Sequence, residues 1–431
     1  MTRLIIMFFC SLLLIRCTKE FMPNPVGESI PSEEYPKLED ALASSPYTLY
    51  SAAWKRSNIT HMLTKDFPLS KMLFLVPTNE AMEKAGLTAE AIATAKVSDL
   101  DSLILYHTLN GSIPQEQLMV APTDILFNSL LTHPIFREGE KLGGVEIRSI
   151  PYRYQHYVRS SETTFSSNGI TFQTSKWLPI DRGFLIPIDQ VAQRPKQQMI
   201  DFLRNDPRFT LFIKYLEITS KIYDQFASQN RLFPKTPLYK YALDYFGSPG
   251  WGENIGEIYK NLHHLIRMSL FAPTNEAFNQ IGIYSENDLI TLNNRSTYHP
   301  GSNNSGSLPL DSLLRKHYIL KAQFVKAYSD NYKLASIVTT IDKDGSVGVF
   351  YSESLKNEIL DEYSMGISTN LSQYLEYDFG NSSNGITVKH KHSTAPPATI
   401  IQENINTFQG PIHVVDKIIL PNNFSMWHIK N

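Results

Sequence analysis

The chain of 431 residues has two cysteines, Cys10 and Cys17. Cys10 lies inside an apolar leader, so the body beyond Cys17 has no thiol pair and must be held by core packing rather than by a disulfide framework. Excess positive charge is missing too. Lys and Arg number 40 against 42 Asp and Glu, a net charge of −2, which leaves nothing to neutralise a phosphate backbone and excludes nucleic acid as a partner. Only one long hydrophobic run occurs, Leu4 to Ile15, interrupted by Ser11. It is too short for an ordinary membrane-spanning helix. Several catalytic signatures are absent: a Gly-x-Ser-x-Gly elbow, a P-loop, a His-Glu-x-x-His helix and a Gly-x-Gly-x-x-Gly turn. His263-His264 and His390-Lys391-His392 are the close histidine groups, and neither has a Cys or a carboxylate at a metal spacing. No enzyme, metal or cofactor is expected from these residues.

What is present is ordinary in bulk and repeated in detail. Hydrophobic residues make up 42% and charged residues 19%, a composition able to build a core, and the length suggests roughly two to four domains. The stretch "FLVPTNEAM" (Phe74 to Met82) returns as "LFAPTNEAF" (Leu270 to Phe278). Upstream of each stands a Leu four residues before a Pro, then Thr-Leu-aromatic: "LASSPYTLY" and "LRNDPRFTLF". Gly86 follows Pro77 by nine positions, and Gly282 follows Pro273 by nine. The hexapeptide "SSNGIT" occurs at Ser166 to Thr171 and again at Ser382 to Thr387. Each half closes on an apolar segment, "GFLIPIDQV" and "GPIHVVDKI". Landmarks in the same order twice indicate a duplicated domain.

The repeated pentapeptide predicts a strand-to-helix corner. An apolar strand stops at Pro77 or Pro273. Thr78 and Asn79, like Thr274 and Asn275, are N-cap residue types. Glu80 and Glu276 then suit the first helical turn, and Gly86 and Gly282 end the helix. The next helix begins at "SDLDSLILYHTL", where Ser98 and Asp101 have capping-box spacing. Leu100, Leu103, Ile104 and His107 share one face, as do Leu310, Leu313, Leu314 and His317. Each histidine reads either as a half-buried hydrogen-bonding group at a helix end or as part of a contact surface. Asn168-Gly169 and Asn384-Gly385 predict type I′ hairpin turns.

The first copy has an aromatic stretch, "YRYQHYVRS" (Tyr152 to Ser160). The second copy is longer, with insertions near 224–261 and 293–306. The first of these carries Tyr241, Tyr245 and Trp251 among Pro and Gly. Such aromatics either pin a long loop to its domain or form a binding surface for sugars or proteins.

These motifs resemble the fasciclin (FAS1) domain: "LFAPTNEAF", a downstream His, and "GPIHVVDKIILP" at the end. The first copy departs at its end, where Pro187 replaces the strand's Val. The resemblance implies an α+β fold of two tandem FAS1-like domains, each a small β-sandwich or wedge with surrounding helices. It places the first domain at 35–193 and the second at 194–424. In animal members a Tyr-His pair in this region is associated with integrin binding; Tyr106-His107 matches it, and here it marks a candidate contact surface together with His317. The leader, Leu13 and Leu14 followed by "RCTKE", resembles a bacterial lipoprotein signal of the Bacteroidetes kind over residues 1–16. That resemblance makes Cys17 the acylated first mature residue, with residues 17–34 as a flexible tether. Together the two resemblances imply an outer-membrane, cell-surface lipoprotein that binds protein or glycan without catalysis and touches the membrane only through its lipid. Two alternatives stand beside it: an accessory glycan-binding subunit of a SusC/SusD-type importer, and an enzyme acting on an envelope polymer.

Overall fold

The structure, a computed structural model, describes residues 35–121, 123–142, 145–230, 265, 267–294, 313, 316–319, 323–324, 348–361, 363–365 and 373–420. The leader, Cys17, the tether, Tyr241, Tyr245, Trp251 and residues 231–261 and 295–306 of the two insertions lie outside the described residues.

The first domain opens with three short helices, α1 (Leu38–Ser44), α2 (Thr48–Arg56) and α3 (Ile59–Asp66). Each buries one stripe: Leu38, Ala41 and Leu42 in α1; Tyr50, Ala53 and Trp54 in α2; Ile59 and Leu63 in α3. Strand β1 (Met72–Pro77) is buried along its whole length. Helices α4 (Asn79–Lys84), α5 (Ala89–Thr94) and α6 (Val97–Tyr106) follow, then β2 (Thr108–Asn110) and α7 (Gln115–Met119). A long hairpin of β3 (Ile125–Leu142) and β4 (Val145–Ser160) comes next. Strands β5 (Thr164–Ser167), β6 (Ile170–Gln173), β7 (Leu178–Ile180) and β8 (Gly183–Ile188) complete an eight-stranded sheet of order β6-β5-β4-β3-β2-β1-β8-β7.

The second domain repeats this frame. Helices α8 (Met199–Asn205) and α9 (Thr210–Asn230) lead to β9 (Ser269–Pro273), α10 (Asn275–Gln280) and α11 (Glu286–Asn294). Later come β10 (Tyr318–Ile319), β11 (Gln323–Phe324), α12 (Asn357–Leu360), β12 (Tyr363–Met365), β13 (Gln373–Tyr374), β14 (Tyr377–Ser382), β15 (Gly385–His390), β16 (Ala398–Asn406) and β17 (Pro411–Val415). The six-stranded sheet runs β10-β9-β17-β16-β15-β14. In both domains the strand before the corner lies parallel to the closing strand, β1 to β8 and β9 to β17. It lies antiparallel to the short strand on its other side, β2 or β10. The first domain has one aromatic-rich core, and the second has two clusters on opposite sides of its sheet.

Three local expectations are corrected. "YRYQHYVRS" is part of β4 and not a loop, because its alternating side chains find buried partners on both faces of the sheet. Ser98 lies inside α6 and caps nothing; Lys96 stands at the N-cap without a side-chain bond. Asp101 instead accepts from the Asn58 N–H (2.7 Å) and side-chain amide (3.0 Å) at the start of α3. The two copies of "SSNGIT" form different turns. In the first, Asn168 and Gly169 have φ of 54° and 72° and make the two-residue loop between paired Ser167 and Ile170, as a type I′ turn requires. In the second, Ser382 pairs with Gly385, so Ser383 and Asn384 form the loop and Gly385 belongs to the strand. Tertiary contact accounts for the difference. Asn168 is buried, donating to the Gln155 carbonyl (2.8 Å) and accepting from the Tyr157 N–H (2.9 Å). The second hairpin's tip is exposed.

Candidate functional site: corners, histidine clasps and the seam

The two corners match bond for bond. Thr78 accepts from the Ala81 N–H at 3.2 Å, and Thr274 from the Ala277 N–H at 3.3 Å, capping α4 and α10. The asparagines reach the other way. Asn79 accepts from the Leu49 N–H (3.0 Å) and donates to the Pro46 carbonyl (3.1 Å) and the Thr48 hydroxyl (2.9 Å). Asn275 accepts from the Leu211 N–H (3.0 Å) and donates to the Pro207 carbonyl (2.9 Å) and the Thr210 hydroxyl (3.0 Å). One amide thus ties the corner to the start of α2 or α9. Pro77 and Pro273 end the strands, and Gly86 and Gly282 close the short helices at φ of 78° and 81°.

The histidines form a second matched pair. His107 donates from Nδ1 to the Leu103 carbonyl (2.8 Å) and accepts at Nε2 from the Ala192 N–H (3.1 Å). His317 does the same with the Leu313 carbonyl (3.0 Å) and the Ile419 N–H (3.1 Å). Each ring clasps the end of one element to the chain leaving the closing strand. Burial lowers both to about 4, against the opposing pull of the carbonyl bond. Tyr106 is also buried; it faces the His156 ring at 4.5 Å and donates to the Gln193 carbonyl at 3.2 Å. Burial holds its hydroxyl in the neutral form, well above the usual phenol range. Tyr106, His107 and His317 therefore present no side-chain surface to a partner, because their polar atoms serve the fold. Leu103 and Leu313 on the shared faces point to the clasp, but a helical pattern alone does not distinguish a clasp from a contact residue.

The long-range contacts between the domains were not readable from motifs. Arg159 Nε lies 3.0 Å from Asp124 Oδ1, and Arg159 Nη2 donates to the Ser354 hydroxyl at 3.2 Å. Ser354 donates in turn to Asp124 Oδ2 at 2.7 Å. Burial raises the Asp124 carboxyl, and Arg159 and Ser354 oppose that rise. Glu353 accepts from Ser166 (3.0 Å) and Thr171 (3.4 Å) of the first domain. The Asn404 amide donates to the Gly169 carbonyl (3.3 Å) and to the Ser352 hydroxyl (2.7 Å), and its Oδ1 accepts from the Ser352 N–H (2.9 Å). A Cβ on Gly169 would collide with the Asn404 side chain, so only glycine fits there.

Further along β4, the Tyr152 hydroxyl donates to the Phe408 carbonyl at 2.9 Å, and the Arg267 guanidinium sits 4.6 Å from the Tyr152 ring centre. The Leu265 N–H donates to the Arg137 carbonyl at 3.0 Å. Leu126 and Tyr157 pack against Val349 and Tyr351. The first domain's long hairpin is thus bound along one side by the second domain.

Two further buried histidines serve the frame. His156 donates from Nε2 to the Tyr106 carbonyl (3.1 Å) and accepts the Ser167 hydroxyl proton (2.8 Å). Burial, with His107 nearby, lowers it to about 3. His413 donates to the Phe350 carbonyl at 3.0 Å and is lowered by burial to about 4. The Ser167–His156 pair has the atoms of a nucleophile and its base, but both residues are buried. Among the described residues no group of three or more His, Cys, Asp or Glu is placed to hold a metal ion.

Residues 255–421 match the family model of the fasciclin domain. Comparison with curated proteins gives no match. A solved FAS1 domain pair from the insect cell adhesion molecule Fasciclin I is similar at 10% identity, over 89% of this chain and 97% of that one, with a TM-score of 0.28. Helices α8 and α9 precede the matched segment yet are tied to it through Asn275 and the packing of Phe212 on Phe278. The first domain repeats the second at corner, glycine and histidine. Residues 255–421 therefore carry a fasciclin domain.

Proposed function

We propose that the protein is a non-catalytic adhesion or ligand-holding lipoprotein of the cell envelope, moored by a lipid on Cys17 with its two fasciclin domains extended from a short tether. Fasciclin domains are adhesion and binding modules. The observation that most supports the reading is how the reactive side chains are used: His107, His156, His317 and His413 are all buried and bonded within the fold. A general base must reach the proton it removes, and these rings are enclosed. The test has two arms. Mass spectrometry of the membrane fraction should find Cys17 as an acylated N-terminal residue. Deleting the gene should reduce cell attachment, with wild type restoring it and Cys17→Ala failing to. An unmodified Cys17, or attachment unchanged by deletion, would reject the reading.

A further inference from the structure

The sequence contains three Asn-Gly pairs, Asn110-Gly111, Asn168-Gly169 and Asn384-Gly385, and the last two share the hexapeptide "SSNGIT". An asparagine before glycine is open to ring closure, because glycine has no side chain to shield its backbone nitrogen from the neighbouring amide. The fold treats the three pairs differently. Asn168 is buried, and both ends of its amide are held against β4, by the Gln155 carbonyl (2.8 Å) and the Tyr157 N–H (2.9 Å). Gly169 beside it is covered by Asn404 of the second domain. Asn110 lies in β2 between β1 and β3, and the Gly111 N–H donates to the Lys71 carbonyl at 3.0 Å. Asn384 is exposed, together with the whole tip from Asn381 to Gly385. Its Oδ1 accepts from the Ser383 hydroxyl at 3.4 Å, and its NH2 group has no partner among the described residues. Ser382 Oγ accepts from the Asn384 N–H (3.2 Å) and donates to the Gly385 carbonyl (3.1 Å), so these bonds stay within the tip. The fold also requires the glycine. Gly385 has φ of 124°, and a Cβ there would sit 3.1 Å from the Ile400 carbonyl oxygen.

We infer that Asn384 is a site of self-modification, which loses ammonia to Gly385 and becomes isoaspartate or aspartate, while Asn110 and Asn168 keep their amides. The Gly385 nitrogen gives up its proton and bonds to Asn384 Cγ. The Cγ–Nδ2 bond breaks, and the nitrogen leaves with a proton as ammonia. Water then opens the cyclic imide at either carbonyl, which yields the two products. Water is the only co-reactant. The Ser383 hydroxyl, already beside Oδ1, supports the charge that this oxygen takes on during the attack. Gly385 pairs with Ser382 at the end of the ladder, so the reaction waits on opening of the tip. Exposed tips open at low free energy. Asn168 must first leave β4, and its turn must part from the second domain. The product places a carboxylate at the tip of edge strand β14 and, as isoaspartate, an extra backbone methylene.

The test incubates the intact chain at neutral pH, native and in guanidinium chloride. Mass spectrometry follows the three Asn-Gly peptides after digestion in mild acid, where ring closure is slow. In the unfolded chain Asn168 and Asn384 should convert at matching rates, since their hexapeptides are identical. In the native protein Asn384 should convert. Asn110 and Asn168 should be slowed roughly a thousandfold or more, the size of an unfolding equilibrium. Native Asn384 left unchanged over the time that converts it in the unfolded chain would overturn the inference. So would native Asn168 converting in step with Asn384. Neither result bears on the adhesion reading, which rests on other residues.

Discussion

Acid should loosen this protein well above the pH at which carboxylates are titrated. Four histidines, His107, His156, His317 and His413, are fully buried and neutral. Three are lowered to about 4, and His156 to about 3. In the unfolded chain each takes its proton near pH 6.5. As the pH falls below that value the unfolded state binds protons that the folded state refuses. The stability these groups permit is complete above about pH 6.5 and is lost as the pH approaches the folded values. At pH 5 each histidine costs about 2 kcal/mol by this linkage. Four together cost about 8 kcal/mol, comparable to the whole stability of an ordinary domain at about 5–15 kcal/mol. Urea unfolding at pH 7, 6 and 5 reads the effect, and its pH slope should correspond to uptake of about four protons on unfolding. His107→Gln, which keeps a donor and an acceptor but cannot titrate in this range, should reduce that uptake by about one. Stability that is flat or rising between pH 7 and pH 5 would refute the reasoning.

Other predictions test the duplicated frame and its seam. Asn79→Ala and Asn275→Ala each remove three hydrogen bonds at matched places. Each should cost about 1–3 kcal/mol by urea midpoint, with similar values in the two domains. Gly183 and Gly410 have φ of 124° and 139°, and a Cβ on them would collide with the carbonyl oxygens of Met72 and Met268 respectively. Alanine at either position should cost about 3 kcal/mol or more, visible as a lower melting temperature or loss of soluble protein. Arg159→Ala leaves Asp124 buried with Ser354 as its remaining partner and should cost about 2–3 kcal/mol. The double variant with Asp124→Asn should cost little more than Arg159→Ala alone, which a double-mutant cycle on melting curves will measure.

The parts of the fold that could be read in the sequence were those set by local chemistry. Pro-Thr-Asn-Glu-Ala specifies a corner because strand ending, N-cap and first-turn acid fall within five residues. The glycines nine residues on are required by positive φ. The same reasoning failed for "SSNGIT", where one hexapeptide forms two turns. Burial of the Asn168 amide against β4 sets the first, and that contact is thirteen residues away at Gln155. Asn79 and Asn275 are cap residue types in the sequence, but they act as clasps across thirty or more residues. The seam was least legible. Asp124, Arg159, Ser354 and Asn404 belong to no motif, and their pairing depends on two domains meeting. Helical phase puts His107 on the apolar face, and only the resemblance of Tyr106-His107 to a dipeptide of animal fasciclin proteins suggests a contact surface; neither reveals which strands cover the pair.

Native-state amide exchange on the intact chain tests the central claim most directly, read at Ala192 and Ile419 and at Ser352 and Leu265. The first two donate to the matched histidines, and the last two are bonded at or across the seam. If the chain is two copies of one unit joined in a single frame, Ala192 and Ile419 will be protected to a similar degree and the seam amides will exchange as slowly as the sheet cores. Rapid exchange at one of the histidine-held amides, or at the seam while both cores stay protected, would contradict it.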